Sequence, residues 1–592
     1  MKQFLITIAG VFVGLILFFV VLPVLLIVSA IGAASGGPAI PAQSVLTLDL
    51  RRALTDQSSA DPFAAFSGSS LSVMKVVTTL HAAEDDDRVK ALFVRLPEGG
   101  MAPAAAEELR LAIKSFRASG KRVVAHSQGF MPSGVVTSTY MLGAAADELW
   151  MQNAASFQVT GISNEEVFLK GLFDRYGVVA DFQQRAEYKN AVNPYLYETF
   201  TPEHRQATLS WMTSVYDNAI ANAALDRKRA PQALRAALES GPLAPSEARA
   251  AGLIDQIGQV KAAEDALLKR AGDDAELLEF DDYAEVADTD GDGGPTIAVV
   301  EAEGAIITGT GDDQPFGASG MVYSDDVAEA LYKAAKDKDV KAVVFRVSSP
   351  GGSDVASDQI LAAVEAVQRA KKPVVVSMGT YAASGGYWIS AKADSIVAQP
   401  STLTGSIGVF GGKIAVGPAL ERYGVNFESV DVGGTYAGAF NTGEAFNQAQ
   451  RAEFGQFLDR IYAGFITLVA EGRDLPVERV QEIARGRVWT GAQARELRLV
   501  DETGGFYQAV ARAKSLAKID ADAEVALKRF PASKSPFEAL GGLFGASAGA
   551  VRTLAAAAWL LGDPRAEAVM DRLVEARLRE GGASVLESAQ VD

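Results

Sequence analysis

One sequence pattern occurs twice in this chain, at positions so far apart that it indicates a duplicated domain. The pattern is Asp-x-x-Val-Lys-Ala, then three apolar residues and an arginine, and it ends at Arg95 and again at Arg346, 251 positions later. A match of this length rarely arises by chance, and self-similarity at a fixed spacing marks a repeated structural unit. The sequence therefore predicts two copies of one domain.

Within each copy, short β-branched segments alternate with amphipathic helical segments. The apolar segment 45–49 leads through a helical stretch to segment 89–94, and segment 296–300 leads in the same way to segment 340–345. Apolar residues in the helical stretches fall at helical spacing, as at Ile360, Ala363 and Val364. Such alternation produces a mostly parallel sheet flanked by helices, so we predict two tandem α/β domains.

The N-terminus predicts a membrane anchor. Residues 4–31 are apolar almost without interruption and follow only Met-Lys-Gln. This stretch exceeds the roughly 20 residues needed to cross a bilayer and the roughly 7–15 of a signal-peptide core. We expect one transmembrane helix within residues 1–34, with Lys2 in the cytoplasm and the remaining chain outside. A long signal peptide cleaved near Ala33 or Ala34 is the alternative.

The other boundaries follow from composition and from the extent of the repeat. A flexible linker over 35–43 precedes an N-terminal repeat over 44–286, and an acidic linker over 287–295 precedes a C-terminal repeat over 296–525. Residues 526–592 form an accessory tail whose contacts the sequence leaves open. The acidic linker imitates the start of an EF-hand loop, but Val299 stands where that loop has its bidentate glutamate, so we expect no metal there.

Charge and cysteine content narrow the classes of function. With 55 basic and 73 acidic residues the net charge is −18, which argues against nucleic acid or anionic lipid as the main partner. The chain has no cysteine, so a cysteine nucleophile and thiolate metal sites are excluded. The acidic balance otherwise says little about function.

The candidate nucleophile is Ser384, in the stretch Gly-Thr-Tyr-Ala-Ala-Ser-Gly-Gly-Tyr-Trp over 379–388. An apolar strand precedes it and a helix-like segment follows, which places a serine hydroxyl at the rim of a sheet. Small neighbours admit a substrate backbone, and Gly385 leaves an N–H available to an oxyanion. The stretch is not a G-x-S-x-G elbow because Ala382 occupies its first position, and a small-residue packing site is the competing interpretation.

The two copies differ reciprocally at the positions that carry chemistry. When Tyr188 is aligned with Tyr436, Lys189 faces Ala437 in the other copy. Anchored on the Ala-Asp pair that both copies share, the counterpart of Ser384 falls near Thr137 and lacks Ser-Gly-Gly. One half keeps a lysine and the other keeps a serine, so we predict one active site built from both halves.

In this site we expect Lys189 to be the general base for Ser384. A serine hydroxyl needs a group that removes its proton, and a buried lysine can do this because desolvation lowers its pKa. The three histidines are expected to be structural, although His126 lies at a strand end. The Gly351-Gly352 turn after a strand offers further N–H groups to an oxyanion, and Ser406 is a candidate to hold the lysine amine.

These residues resemble the signal peptide peptidase A family in its long, duplicated, membrane-anchored bacterial form. The resemblance spans roughly residues 45 to 525, and its motifs are Tyr-Lys-x-Ala-Val at 188–192, Ser-Pro-Gly-Gly-Ser at 349–353, Ala-Ala-Ser-Gly-Gly-Tyr-Trp at 382–388 and Pro-Ser-Thr-Leu-Thr-Gly-Ser-Ile-Gly at 400–408. It implies a crotonase-like or Clp-protease-like fold and a dyad of Ser384 and Lys189, with Ser406 assisting. It also implies oxyanion donors at Gly385, Gly351 and Gly352, and no metal or cofactor.

The resemblance further implies a homotetrameric bowl on the bacterial inner membrane, facing the periplasm on a single-pass anchor. Its expected substrates are cleaved signal peptides and other small hydrophobic polypeptides, cut through an acyl-enzyme. Two alternatives remain open. A crotonase-fold acyl-CoA enzyme would use the same turns without an acyl-enzyme, and a non-catalytic membrane scaffold would need neither Ser384 nor Lys189.

Overall fold

The computed structural model describes residues 38–57, 71–291, 293–311 and 320–531. The predicted transmembrane helix and nearly all of the predicted tail lie outside these residues. No helix in the described ranges has both the length and the hydropathy to span a bilayer.

Within residues 44–57 and 71–284, the N-terminal half contains nine strands and ten α-helices. Its strands are β1 (Ser44–Asp49), β2 (Leu54–Thr55), β3 (Leu71–Ser72), β4 (Val89–Leu96), β5 (Arg122–Ser127), β6 (Glu148–Met151), β7 (Val179–Gln184), β8 (Gln256–Ile257) and β9 (Glu276–Glu279). Its helices are α1 (Val73–Glu84), α2 (Pro103–Ala118), α3 (Val136–Ala144), α4 (Lys170–Tyr176), α5 (Asn193–Leu196), α6 (Pro202–Asp226), α7 (Pro231–Glu239), α8 (Pro245–Ala250), α9 (Val260–Ala271) and α10 (Phe280–Ala284).

The C-terminal half repeats this succession. Its strands are β10 (Thr296–Glu303), β11 (Ala305–Ile307), β12 (Met321–Tyr323), β13 (Val340–Ser349), β14 (Val374–Ala383), β15 (Ser395–Ala398), β16 (Leu403–Gly405), β17 (Phe410–Ala415), β18 (Val488–Thr490), β19 (Glu502–Thr503) and β20 (Ala526–Phe530). Its helices are α11 (Ser324–Lys336), α12 (Asp354–Arg369), α13 (Gly385–Trp388), α14 (Gly417–Glu421), α15 (Gln448–Gly472), α16 (Val477–Ile483), α17 (Gly491–Glu496) and α18 (Phe506–Leu516).

Each half is built on its own sheet. The first sheet has the strand order β8-β6-β5-β4-β1-β9, and all its pairs are parallel. The second follows the order β18-β16-β14-β13-β10-β20, with β15 paired to β14 and β19 paired to β15, and among its described strands only the β16–β18 pair is antiparallel. The prediction of two α/β domains with mostly parallel sheets is confirmed.

The repeated pattern occupies the same place in both sheets. Arg95 lies on β4 opposite Asp49 of β1, and Arg346 lies on β13 opposite Glu301 of β10. Both strands contain a central apolar run and are almost entirely buried, because helices cover both faces of a parallel sheet. The duplication is therefore visible in the register as well as in the sequence.

The helices that cover the sheets carry recognisable end signals. Helix α2 begins at Pro103, whose fixed φ suits the first turn and whose missing N–H would have had no partner there. The Ser353 hydroxyl accepts from the Ala356 N–H at 3.3 Å and so caps α12. Helix α11 has two aspartates in its first turn and two lysines in its last, which complements its dipole.

The two halves are joined by a strand pair that crosses between them. Strand β7 of the N-terminal half pairs antiparallel with β17 of the C-terminal half, with Gln184 opposite Phe410 and Val179 opposite Ala415. The segment after β7 carries Lys189, and β17 follows the Ser406 loop. This pairing therefore brings the lysine-bearing segment to the C-terminal edge of the second sheet.

Candidate active site

Ser384 lies where β14 ends, in a backbone conformation that serine rarely adopts. Its φ is 53° and its ψ is −118°, and such values cost a non-glycine residue of order 1–3 kcal/mol. Its N–H donates to the carbonyl of Gly405 at 2.9 Å, so the neighbouring strand β16 holds the turn. Helix α13, which follows, has only four residues, so it contributes no more than the dipole of a single turn.

Lys189 enters the site from the N-terminal half, immediately before a 3₁₀ turn over Asn190–Val192. Its Nζ lies 3.0 Å from Ser384 Oγ. It also lies 2.9 Å from Ser406 Oγ and 2.9 Å from the Ser406 carbonyl oxygen. The three residues predicted from the sequence to act together are therefore in direct contact within one chain.

Burial gives this amine an unusual protonation equilibrium. Lys189 is 3% exposed, and no acidic side chain contacts its amine within the described residues. Desolvation disfavours the charged form, which lowers the pKa of Lys189 from 10.5 to about 7. Near neutral pH a large fraction of the amine is uncharged and can accept a proton.

The glycine turn predicted to stabilise an oxyanion lies directly beside the serine. A Cβ placed on Gly351, whose φ is 107°, would be 2.7 Å from both Gly385 N and Ser384 Cβ, and one on Gly385 would be 3.0 Å from Gly352 N. The Gly351 N–H already donates to Ser349 Oγ at 3.2 Å. The N–H groups of Gly352 and Gly385 have no acceptor among the described residues, so these two are available to a substrate oxygen.

The N-terminal half contains a matching turn without a nucleophile. Gly134 follows β5, precedes α3 and has a φ of 57°, close to that of Ser384. A Cβ on it would lie 3.6 Å from Gly100 Cα, and the Gly100 N–H donates to the Ser133 carbonyl at 2.7 Å. Beyond this turn the two copies share one register, since the Tyr140 hydroxyl donates to the Leu253 carbonyl as the Tyr387 hydroxyl donates to the Leu499 carbonyl. Thr137 precedes Tyr140 by three residues, as Ser384 precedes Tyr387, so these contacts support the prediction that the counterpart of Ser384 lies near Thr137. Thr137 is buried within α3.

The segment 485–487 of the C-terminal half also contributes to the site, and we did not predict it. The Arg485 carbonyl accepts from the Tyr188 N–H at 3.1 Å, and the Arg487 carbonyl accepts from the Ser406 N–H at 2.8 Å. Between them, Gly486 lies so close to Lys189 that an added Cβ would be 2.6 Å from both Lys189 N and Lys189 Cβ. This segment holds the backbone of the lysine and that of its serine partner together.

Replacing Gly486 with alanine is expected to lower kcat by about 10- to 100-fold, because a displacement of about 1 Å at a reacting group can cost up to about 100-fold. The matched control is Gly424→Ala, since Gly424 has a similar φ of 78° against 74° at Gly486, and a Cβ on it would meet nothing within 4 Å. Both substitutions share the cost of a left-handed alanine, about 1–2 kcal/mol. Equal kcat values for the two purified variants would contradict a role of Gly486 in holding Lys189.

The histidines make structural contacts. His126 is buried at the end of β5, and its Nε2 lies 3.0 Å from the Gly258 carbonyl. His204 packs against the rings of Phe168 and Phe200, and His81 lies 4.0 Å from the Tyr507 ring. None of the three is hydrogen-bonded to Ser384 or Lys189 in the described part of the chain. The described residues also contain no group of three or more acidic or histidine side chains arranged to hold a metal ion.

Comparisons with known proteins identify the family. The model of peptidase family S49 matches residues 115–273 and 366–520, together more than half of the chain. Protease 4 of Salmonella typhi is 33% identical over 462 residues, covering 76% of this chain and 72% of that protein. Protease 4 of Haemophilus influenzae is 32% identical over 532 residues, covering 83% of each.

A plant protein shows the same extent of similarity. The chloroplastic serine protease SPPA of Arabidopsis thaliana is 28% identical over 522 residues, covering 86% of this chain and 75% of that protein. The matched segments of the family model fall in both halves, one around Lys189 and one around Ser384. The resemblance drawn from the sequence motifs is confirmed, and the chain belongs to peptidase family S49.

Proposed function

We propose that this serine peptidase acts through a dyad in which Ser384 is the nucleophile and Lys189 is the general base. The observation that carries the proposal is the 3.0 Å separation of Lys189 Nζ and Ser384 Oγ, with the amine buried. A buried lysine with a pKa near 7 is matched to proton transfer at neutral pH, where a general base is most effective. Ser406 supports the amine through its hydroxyl and its carbonyl oxygen.

The first half of the reaction forms an acyl-enzyme. Ser384 Oγ attacks the scissile carbonyl carbon while its proton passes to the neutral amine of Lys189. The electron pair of the carbonyl moves to oxygen, and the N–H groups of Gly352 and Gly385 donate to the resulting oxyanion. When the tetrahedral intermediate collapses, the C–N bond breaks and the Lys189 ammonium gives its proton to the leaving amine.

The second half releases the acid product and restores the enzyme. A water molecule replaces the departed amine, gives a proton to Lys189 and attacks the ester carbonyl of the acyl-enzyme. The same two N–H groups stabilise the second oxyanion. Collapse breaks the bond to Ser384 Oγ, which recovers its proton from Lys189, so no proton or electron is left over.

The pH dependence of kcat/KM follows from the lysine. The neutral amine is the active form, so activity is low when the pH is below the Lys189 pKa and rises as the amine loses its proton. We expect kcat/KM to rise tenfold per pH unit below about 7 and to level off above it, because the pKa of Lys189 is lowered to about 7. This rising part of the profile is its acidic limb. A limb centred near pH 10, as expected for an exposed lysine, would contradict the assignment of Lys189 as the base.

We propose the family's wider features for this chain on the strength of its sequence. The apolar stretch 4–31 supports a single-pass anchor within residues 1–34 and linker 35–43 in the bacterial inner membrane, with repeats 44–286 and 296–525 in the periplasm. Linker 287–295 would join the repeats, and 526–592 would be an accessory tail. A homotetramer, a crotonase-like or Clp-protease-like fold, and cleaved signal peptides and small hydrophobic polypeptides as substrates belong to the same proposal.

One experiment separates this proposal from its two competitors. A fluorophosphonate reacts covalently with an activated serine, and mass spectrometry identifies the labelled peptide. Stoichiometric labelling at Ser384, together with cleavage of a synthetic signal peptide, is the expected result. An acyl-CoA enzyme without an acyl-enzyme step, or a non-catalytic scaffold, would leave Ser384 unlabelled and the peptide intact.

A further inference from the structure

Three carboxylates of the N-terminal half are buried against the C-terminal half, away from the Lys189 loop. Asp56, Glu107 and Glu108 are each 5% exposed or less. Asp56 binds Arg346 through both oxygens, at 2.6 and 2.9 Å, and Glu108 lies 3.0 Å from the same guanidinium. Such bidentate pairing fixes direction as well as distance, so these contacts set how the halves meet.

Glu107 binds a segment that belongs to the active site. Its carboxylate accepts from the Ser401 N–H at 2.9 Å and from the Ser401 hydroxyl at 2.6 Å, and it also accepts from Asn218. Ser401 begins the segment 401–406, which ends at the serine that holds the Lys189 amine. A carboxylate from one half therefore fixes the start of a segment whose end positions the amine.

The same segment is fastened to the strand that carries the nucleophile. The Thr402 hydroxyl donates to the Gly379 carbonyl at 2.8 Å, and the Thr404 hydroxyl donates to the Ala382 carbonyl at 2.7 Å. Both acceptors lie on β14, within five residues of Ser384. Displacement of Ser401 would consequently reach both Ser406 and Ser384 through short, buried hydrogen bonds.

Duplication supplies an internal comparison for this arrangement. Arg95 holds the position in the first sheet that Arg346 holds in the second, but its guanidinium donates to the Gln128 side chain at 3.0 Å. Arg346, in contrast, binds two carboxylates that come from the other half. The carboxylate contacts are therefore a property of the junction between the halves rather than of the repeated fold.

We propose that Glu107 is a positioning residue that, through Ser401, sets the depth and orientation of the Lys189 amine against Ser384. The inference rests on the proposed dyad. It adds a residue outside the dyad that controls the position of the Lys189 amine. Because the buried Glu107 side chain fixes the start of the 401–406 segment through two hydrogen bonds to Ser401, its loss lets that segment move and lets water approach the amine. A better-hydrated amine has a higher pKa, so the base is protonated over a wider pH range.

The test is Glu107→Gln in the full chain, with kcat, KM and the pH dependence of kcat/KM measured on a hydrophobic peptide. Glutamine keeps the size of the side chain, but its NH₂ group cannot accept from both donors of Ser401. We expect kcat to fall about tenfold with KM within about twofold, and the limb near pH 7 to move up by about one unit. Ser401→Ala, which keeps the backbone donor, is expected to shift the limb in the same direction by less.

The matched control is Asp226→Asn. Asp226 is also a buried carboxylate that binds helix α2, through Arg110 at 2.5 Å and Lys114 at 2.7 Å, but it does not bind the C-terminal half. It should lower thermal stability without moving the pH limb. A limb in Glu107→Gln that stays in place, as in this control, would show a merely structural role and overturn the inference.

Two further outcomes are informative. A limb that moves to lower pH would show that Glu107 acts by its charge alone, because removing a negative charge favours the neutral amine, and this too would overturn the inference. If Glu107→Gln does not fold, Ser401→Ala provides the test. A limb that moves to higher pH in Ser401→Ala would support the inference, and a limb that stays in place would overturn it. Burial also raises the pKa of Glu107 to about 7, so a limb near pH 7 in the parent does not by itself identify the base. Failure of the dyad itself is distinguishable, since Lys189→Met would then retain the rate and the limb of the parent enzyme.

Discussion

Replacing Ser384 with alanine should abolish peptide hydrolysis, with kcat/KM at least about 10⁴-fold lower, because removing the nucleophile of a serine peptidase leaves only binding and oxyanion stabilisation. The residual rate should be independent of Lys189, since the two groups act as one unit. The measurement is the rate of cleavage of a signal-peptide substrate by purified protein. It should be made at equal concentrations of folded enzyme, checked by thermal unfolding.

Ser390→Ala is the matched control for this substitution. Ser390 is buried, lies six residues further along the chain and donates to the Gly386 carbonyl at 2.7 Å. Loss of that hydrogen bond should cost about 1 kcal/mol of stability and leave kcat within about threefold. Retention of activity in Ser384→Ala would exclude Ser384 as the nucleophile.

Replacing Lys189 with methionine is expected to lower kcat about 10³-fold, within the roughly 10²- to 10⁴-fold that general base catalysis contributes. Methionine fills a similar volume without an amine, so the pocket stays closed while the proton acceptor is lost. The control is Lys413→Met. Lys413 is also buried, and desolvation lowers its pKa too, but its amine donates to the Asn441 carbonyl at 2.8 Å and does not contact the nucleophile.

Stability distinguishes loss of chemistry from loss of fold in Lys189→Met. The pKa of Lys189 is about 7 in the folded chain against 10.5 for the free side chain, so the unfolded state binds more protons between these values. Stability therefore rises with pH across that window, and below about pH 7 the folded state bears the full cost of burying the amine. Methionine removes this cost, so at pH 6 the variant should unfold at the same temperature as the parent or higher. Equal activity of the Lys189 and Lys413 variants would contradict the proposed base.

The sequence predicted both members of the proposed dyad because duplication provides its own reference. Lys189 aligns with Ala437 in the other copy, and Ser384 has no serine at its counterpart. Each copy therefore lacks one of the two reactive side chains that the other copy retains, and this difference indicated which residues are functional. Alignment on the Ala-Asp pair placed the counterpart of Ser384 near Thr137, and the equivalent hydrogen bonds of Tyr140 and Tyr387 support that register.

The contacts that hold the site together were beyond sequence reasoning. Gly486 lies against Lys189, and Glu107 binds Ser401, although hundreds of residues separate the members of each pair. No periodicity or spacing connects such positions, because their proximity arises only when the two sheets are docked. An isolated glycine between two arginines predicts a turn at Gly486, but it does not indicate what the turn contacts.

The most direct test of the account is the rate at which a fluorophosphonate labels Ser384 as a function of pH, in the parent, Lys189→Met and Lys413→Met. The account predicts that labelling of the parent and of the Lys413 variant rises through about pH 7 and then levels off, whereas the Lys189 variant is labelled at least about 100-fold more slowly with no limb near 7. Equal labelling rates and pH profiles in all three proteins would show that Lys189 does not activate Ser384.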